Sequence, residues 1–469
     1  MKRSPFPFGA IATSLFLSAC SMATSSLDDP SPALSASSTA SLQTMVERIQ
    51  TQVAALRGLS YKRQVYAHWI DRSDLNRIFG SSSGNAGEVD PFEEALLAMG
   101  FTRSYGTARQ GQSDVTNSGV TAFYLDGTDS LFVVSDQAGS SSLSSTVAHE
   151  LEHALQDQNF GLAHTSQELD QELAYLCLVE GDAVYLEDIW STGNPSLATI
   201  DSNANSWFYD LPRTTAWLQN SLYSSVSLAI TIPQLLPYTW GAGMIHQVRS
   251  DRGWSGVNDL FRNLPQSTSQ ILHPKFLATR PAITDWNPDQ IFPSMSGWDT
   301  LGTTRFGEVY LATLLYAWGH SPTDSAPLQG WAGDRFWIWR KDTSHHVAAG
   351  AIAFESRSKA SEAFSALASH FSVRYDLPGT TVRTDSAFLF QASDSGFSAS
   401  IRRSGNLIRM AWGQMRPEGH TILARELDSL TPQSPSLGRL ATAAHFPRLK
   451  PPARRPLPPV PGPWTVRSP

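Results

Sequence analysis

The sequence predicts an α+β fold in two parts. A larger part over residues 41–285 carries the chemistry, and a helical connection with a smaller α+β domain follows over 286–430. Three observations predict it. Two strand-like runs, Val120–Leu125 and Ser130–Val134, flank the turn Asp126-Gly127-Thr128-Asp129. Two helical patterns follow at once, and the first carries His149-Glu150-Leu151-Glu152-His153. A β-β-α-β-β succession of apolar patterns then runs from Arg335 to Trp412. The 469 residues exceed one typical domain, and 41% hydrophobic residues suffice for packed cores.

The first residues read as a targeting segment. Lys2 and Arg3 precede an apolar run, Phe6 to Leu17, that is too short to span a bilayer. It ends in Leu17-Ser18-Ala19-Cys20, which resembles a bacterial lipobox. The resemblance implies that residues 1–19 are a lipoprotein signal peptide. It also implies a lipid on Cys20 and anchoring in the cell envelope through that lipid. Ser21 is not an Asp retention signal, so the outer membrane is the expected location in a host with two membranes. Residues 20–40, rich in Ser, Ala and Thr, read as a flexible tether. Cys177 is then the one remaining cysteine, expected as a small buried residue on a helix, and no internal disulfide follows.

Loss of Lys2 and Arg3 takes the formal charge from −7 to −9. The tail over 431–469 holds six basic residues, no acid and many prolines, and is expected to be disordered. The body between is therefore strongly acidic and carries no basic stripe, which argues against a nucleic-acid partner.

Each element follows from its pattern. Met45, Ile49, Val53 and Leu56 recur at helical spacing over Leu42–Leu56. Ser81–Gly87 is a loop, and Pro91–Gly100 a short helix with Gly100 as its stop. After the hairpin, serines offer an N-cap to a helix from Leu143 to about Asn159, closed by Gly161. Thr165 and Glu168 form a capping box for a second helix, which runs to about Trp190. The stretch 207–247 suggests further helices. Arg335–Arg340 and Val347–Phe354 read as strands, Lys359–Phe371 as a helix, and Ala387–Gln391 and Ser398–Trp412 as closing strands. The last is broken at Ser404-Gly405-Asn406.

On a helix, His149 and His153 project from one face a turn apart. Two imidazoles so placed reach one zinc ion at about 2.0–2.1 Å. Glu150 lies beside them, placed to take a proton from water that the ion acidifies toward a pKa of about 7. A third protein ligand is needed, with one position left open. The metzincin pattern requires Gly and His where this chain has Gln156 and Asn159, and no aspzincin element follows. A downstream glutamate remains. Glu180 is the best candidate, because it ends the apolar run Ala174–Val179, where an unpaired carboxylate is costly. Gly181 beside it permits a close approach by backbone or substrate. Glu172 and Glu187 are alternatives that fit solvated positions better, and His164 lies in the intervening loop.

Thr146–Gln158, followed by Val179-Glu180-Gly181-Asp182-Ala183, resembles a group of bacterial secreted proteins and lipoproteins assigned as gluzincin-like metallopeptidases. The Glu-Gly-x-Ala form also resembles the third-ligand segment of the zinc aminopeptidases. The resemblance continues at Tyr238–Gly241, Gly253-Trp254, Ser267-Thr268, Gln270–Pro274 and Gly330–Arg335, and spans roughly residues 45–415. It implies a zincin-like catalytic domain of edge-strand hairpin, HExxH helix and Glu-ligand helix. It implies one zinc on His149, His153 and Glu180, with Glu150 as general base. Thermolysin-like enzymes carry a histidine-orienting Asp four residues after the Glu ligand; that position here is Val184. Asp157, one turn after His153, is a candidate for the role. Asp182 is another, although it points about 200° around the helix from Glu180. His273 and Tyr238 are candidates for stabilising an oxyanion.

The expected function is therefore a lipid-anchored zinc metallopeptidase acting on peptides or proteins at the cell envelope. Two alternatives stand beside it: an envelope interaction protein with a structural or inactive zinc site, and a zinc amidase acting on cell-wall material.

Overall fold

The computed structural model describes residues 36–78, 91–102, 120–164, 166, 168–192, 228–321, 328–393, 396–433 and 453–454. Cys20 and its flanking residues, the 81–87 loop, Thr165 and residues 207–227 lie outside them. The described chain is α+β with two sheets.

Helix α1 (Ala36–Arg57) buries Leu42, Val46, Ile49 and Val53. They pack on a sheet of β1 (Tyr66–Ile70), β2 (Val120–Leu125) and β3 (Ser130–Val134), in the order β1-β3-β2. Helices α2 (Arg72–Ile78) and α3 (Pro91–Met99) lie between β1 and β2 in sequence, and Gly100 ends α3 at φ 82°. The β2–β3 pair is the expected hairpin, with Phe123 opposite Phe132. Its turn needs positive φ at Gly127 and Asp129, and glycine and aspartate are residue types that tolerate it. β1 pairs with β3 in parallel, so its partner is distant in sequence.

Helix α4 (Leu143–Phe160) follows, stopped at Gly161 with φ 71°. It is buried along nearly its whole length, between the α1–sheet layer and α5 (Leu169–Ser191). α5 starts at Leu169 rather than near Thr165, with Glu168 as an N-cap that makes no side-chain cap. The Glu168 carboxylate is drawn elsewhere: it accepts the Arg305 N–H at 2.6 Å and pairs with Arg335 at 2.9 Å. Charge-assisted tertiary partners outcompete a neutral local cap.

Next come α6 (Leu228–Leu236), a π-helical turn over Pro237–Gly241, and α7 (Ala242–Arg262), broken at Gly253. Two short helices follow, α8 (Thr268–Leu272) and α9 (Lys275–Thr279).

The second sheet is larger than expected. It comprises β4 (Asp299–Thr304), β5 (Trp331–Asp342), β6 (His345–Phe354), β7 (Gly379–Arg383), β8 (Ala387–Ala392), β9 (Phe397–Ser404) and β10 (Leu407–Gln414). All pairings are antiparallel, in the order β4-β5-β6-β10-β9-β8-β7. Helix α10 (Gly307–Ala317) lies between β4 and β5 in sequence, α11 (Arg357–Arg374) between β6 and β7, and α12 (Pro417–Asp428) after β10. One sheet face packs on α10 and α11; the other meets Trp286, Phe292 and the buried side of α12. The first of these cores runs unbroken from Leu173 and Cys177 of α5 to Phe336 and Trp412. The second part is thus welded to the first through α5. Within the tail, Ala453–Arg454 form a short strand, β11, antiparallel to β2. No described helix is long and apolar enough to cross a membrane.

Candidate metal centre

α4 presents His149 and His153 toward α5 and Glu150 toward β2, all three buried. Their potential ligand atoms lie within 4.8 Å of one another, so this group could hold a metal ion. The two Nε2 atoms are 3.1 Å apart. Glu180, on α5, brings Oε2 to 3.4 Å from each of them. That oxygen is buried and accepts no hydrogen bond. Glu150 is committed differently: its Oε2 accepts the Tyr124 N–H of β2 at 2.6 Å. Glu180 thus faces both imidazoles, whereas one oxygen of Glu150 is tied to β2.

The electrostatics fit a cation. Burial pulls the His149 imidazolium pKa down, but Glu180, Glu187 and Glu150 outweigh it and hold it well above the ordinary 6.5. Burial raises the Glu180 carboxyl, but His153 and His149 outweigh it and hold it below 4.5. Carboxylates gathered around two imidazoles make the charge distribution one that suits a cation.

Two devices set the depth of Glu180. Gly181 packs its backbone on the π-helical turn: a Cβ there would lie 2.2 Å from the Gly241 carbonyl carbon. A Cβ on Gly241 would in turn lie 2.2 Å from the Cys177 oxygen. The close approach that Gly181 permits is thus by backbone. It also brings Tyr238 of that turn alongside His149, ring centroids 6.3 Å apart and planes within 15°.

The outer nitrogens of the histidines are also occupied. His149 Nδ1 lies 3.2 Å from Glu187 Oε2 and His153 Nδ1 lies 3.1 Å from Gln156 Oε1. The expected solvated settings of Glu187 and Glu172 are corrected here. Glu187 is half-buried against His149, and Glu172 is buried, accepting the Ser166 N–H. Glu187 follows Glu180 by seven residues, two helical turns, so the two share a face; helical periodicity alone carried that signal.

The remaining candidates fall elsewhere. Asp157 accepts the Tyr124 hydroxyl at 2.9 Å and the Gly127 N–H at 3.0 Å, tying the hairpin to the end of α4 rather than orienting His153. Asp182 is fully buried and binds Arg57 and Gln156. His273 pairs with Glu308 at 3.1 Å and stacks edge-on against Phe276; none of these contacts is with the cluster. The Glu308 hydrogen bond raises its pKa. His164 packs on Tyr175. Cys177 is fully buried.

Among known families, a domain of unknown function (DUF8575) matches residues 295–412. That span covers β4 to most of β10 and contains none of the residues of the centre. A comparison with curated proteins found no match.

Proposed function

We propose that the chain is a zinc-dependent metallopeptidase that hydrolyses peptide bonds, held at the cell envelope by a lipid on Cys20. One observation supports it above the others. His149 Nε2, His153 Nε2 and Glu180 Oε2 converge within 3.4 Å, and Glu150 is held beside them by β2.

When bound, zinc supplies Lewis acidity that polarises a carbonyl and acidifies water. The other roles belong to the protein. His149, His153 and Glu180 hold the ion. Glu150 takes the proton of the attacking water and returns it to the departing amine. Its hydrogen bond from Tyr124 fixes the carboxylate between α4 and β2. Tyr238, its ring 6.3 Å from that of His149, is the candidate donor to a developing oxyanion.

The test combines zinc analysis with chelator-sensitive cleavage of a peptide library, casein and peptidoglycan fragments. Wild type should bind one zinc and cleave peptides. Glu150→Gln should keep the zinc and lose cleavage; full activity in that variant would remove Glu150 from the mechanism. Cleavage of peptidoglycan alone would favour the amidase, and zinc without any hydrolysis the interaction protein.

A further inference from the structure

A histidine that binds metal through Nε2 must carry its proton on Nδ1, and something must accept that proton. For His153 the neighbour is Gln156, whose amide oxygen and nitrogen must be assigned from their surroundings. The surroundings decide it. Gln156 Nε2 lies 3.0 Å from the Val179 carbonyl oxygen and 3.2 Å from Asp182 Oδ2. A carbonyl and a carboxylate both accept, so the amide NH2 must face them. Turned over, the amide would set its oxygen against two others. Oε1 therefore faces His153 Nδ1, that nitrogen carries the proton, and the Nε2 lone pair points at His149 and Glu180.

Asp182 is itself pinned. Its Oδ2 accepts Arg57 Nη2 at 3.1 Å. Arg57 also donates to Glu152 at 3.1 Å and to Asn258 at 2.8 Å, and its guanidinium lies 4.3 Å from the Trp254 ring centroid. Arg57, Glu152, Gln156 and Asp182 are all fully buried. Helices α1, α4, α5 and α7 thus meet on one guanidinium, which leaves Asp182 one position.

We propose that Gln156 is the positioning residue for His153, and that Asp182, held by Arg57, locks the Gln156 amide in the orientation that aims the His153 Nε2 lone pair into the centre. The proposal rests on the metal reading above. It assigns the orienting task, absent at Val184, to an amide on the HExxH helix backed by a buried acid–arginine pair.

The experiment uses the full chain with zinc, and with Co2+ as a spectroscopic substitute. Metal affinity is measured by chelator competition and ligand geometry by the visible bands of the cobalt form. Gln156→Leu and the isosteric Asp182→Asn should each weaken zinc binding by about 10–100-fold and shift the cobalt bands. Asn258→Ala is the control for a merely structural network. Asn258 accepts from the same arginine at 2.8 Å without bonding Gln156 or Asp182, so the variant should lose thermal stability and keep wild-type affinity and spectrum. Wild-type affinity in both Gln156→Leu and Asp182→Asn would overturn the proposal, as would an equal loss in Asn258→Ala. If Gln156→Leu does not fold, Asp182→Asn decides alone. A wild-type protein that takes up neither zinc nor cobalt would overturn the metal reading itself, a result distinct from these.

Discussion

Replacing Gly181 by alanine tests the backbone crossing that sets Glu180 at its depth. The added Cβ would sit 2.2 Å from the Gly241 carbonyl carbon and 2.5 Å from its oxygen. Ordinary contact begins near 3.4 Å, so α5 and the π-helical turn must part by about 1.2 Å. The obstruction is main chain, so no side chain can swing aside to relieve it. Two effects oppose each other. Alanine in place of glycine favours a helix by about 1 kcal/mol. Overpacking a close interface costs about 1–3 kcal/mol, and a main-chain clash belongs at the upper end. The net loss is on the order of 1–2 kcal/mol, and 1 kcal/mol lowers Tm by about 2–4 °C in a mid-sized domain. The metal responds more sharply. Glu180 adjoins the displaced residue, and metal–ligand distances tolerate only about 0.2 Å. A shift near 1 Å should therefore weaken zinc binding at least about tenfold while leaving the fold intact. Thermal unfolding with and without chelator, and zinc competition, measure the two effects. Wild-type Tm together with wild-type affinity would refute the crossing and its role.

Three further outcomes follow from buried charge. Arg57→Ala strands the buried carboxylates of Glu152 and Asp182, and should cost about 3–5 kcal/mol in urea unfolding; a loss below about 1 kcal/mol would mean that the triad is solvated. Burial raises the Glu168 carboxyl, but Arg335 and Arg305 outweigh it and hold it below its ordinary 4.5. Its stabilisation is therefore present above pH 4.5 and lost as pH falls below that value, so Glu168→Gln should flatten the acid limb of the stability profile; an unchanged limb contradicts this. Chelation should lower the Tm of the zinc-loaded wild type, since ligand at a hundred times its Kd adds about 2.7 kcal/mol. Glu180→Ala should show no such response, and a persisting one would remove Glu180 from the ligand set.

What the sequence disclosed about the centre was what local rules encode. The hairpin, the α4 face with its two histidines, and the stops at Gly100 and Gly161 depend on neighbours within a few residues. The start of α5 falls at Leu169, later than the local pattern predicts, because Glu168 answers to Arg335, far along the chain. β1 leaves little local signal because it is five residues long, only partly buried, and paired in parallel with a distant strand. The strands β4 and β7 are edges, and β7 is exposed along its length, so it carries no buried alternation to read. Gln156 stood in view three residues after His153, but an amide has no metal-binding signature. Its meaning appears only once Asp182 and Arg57 are seen to fix it.

The same contrast explains why a centre in the first part needs the second. Glu180 sits midway along α5, so its position depends on how that helix is held. Gly181 against Gly241 and Asp182 against Arg57 fix the middle. The N-terminal end is held from the second part. Asp170 accepts Arg305 Nε at 3.2 Å, and Glu168 binds Arg335. Asp334 receives the N–H groups of Phe306 and Gly307, both at 2.8 Å, which shapes the turn that carries Arg305. Gly307 is required there: φ is 72°, and a Cβ would lie 1.9 Å from Asp170 Oδ1. Arg305, Asp334 and Arg335 all fall within the matched span 295–412, although none touches the metal centre. A helix clamped at its start and at its middle cannot slide or roll without breaking buried ion pairs, each costly to leave half-made. The second part therefore contributes rigidity to the Glu180 side of the candidate centre, and on the proposed metal reading a weaker grip on α5 should lower zinc affinity with His149, His153 and Glu180 all unchanged.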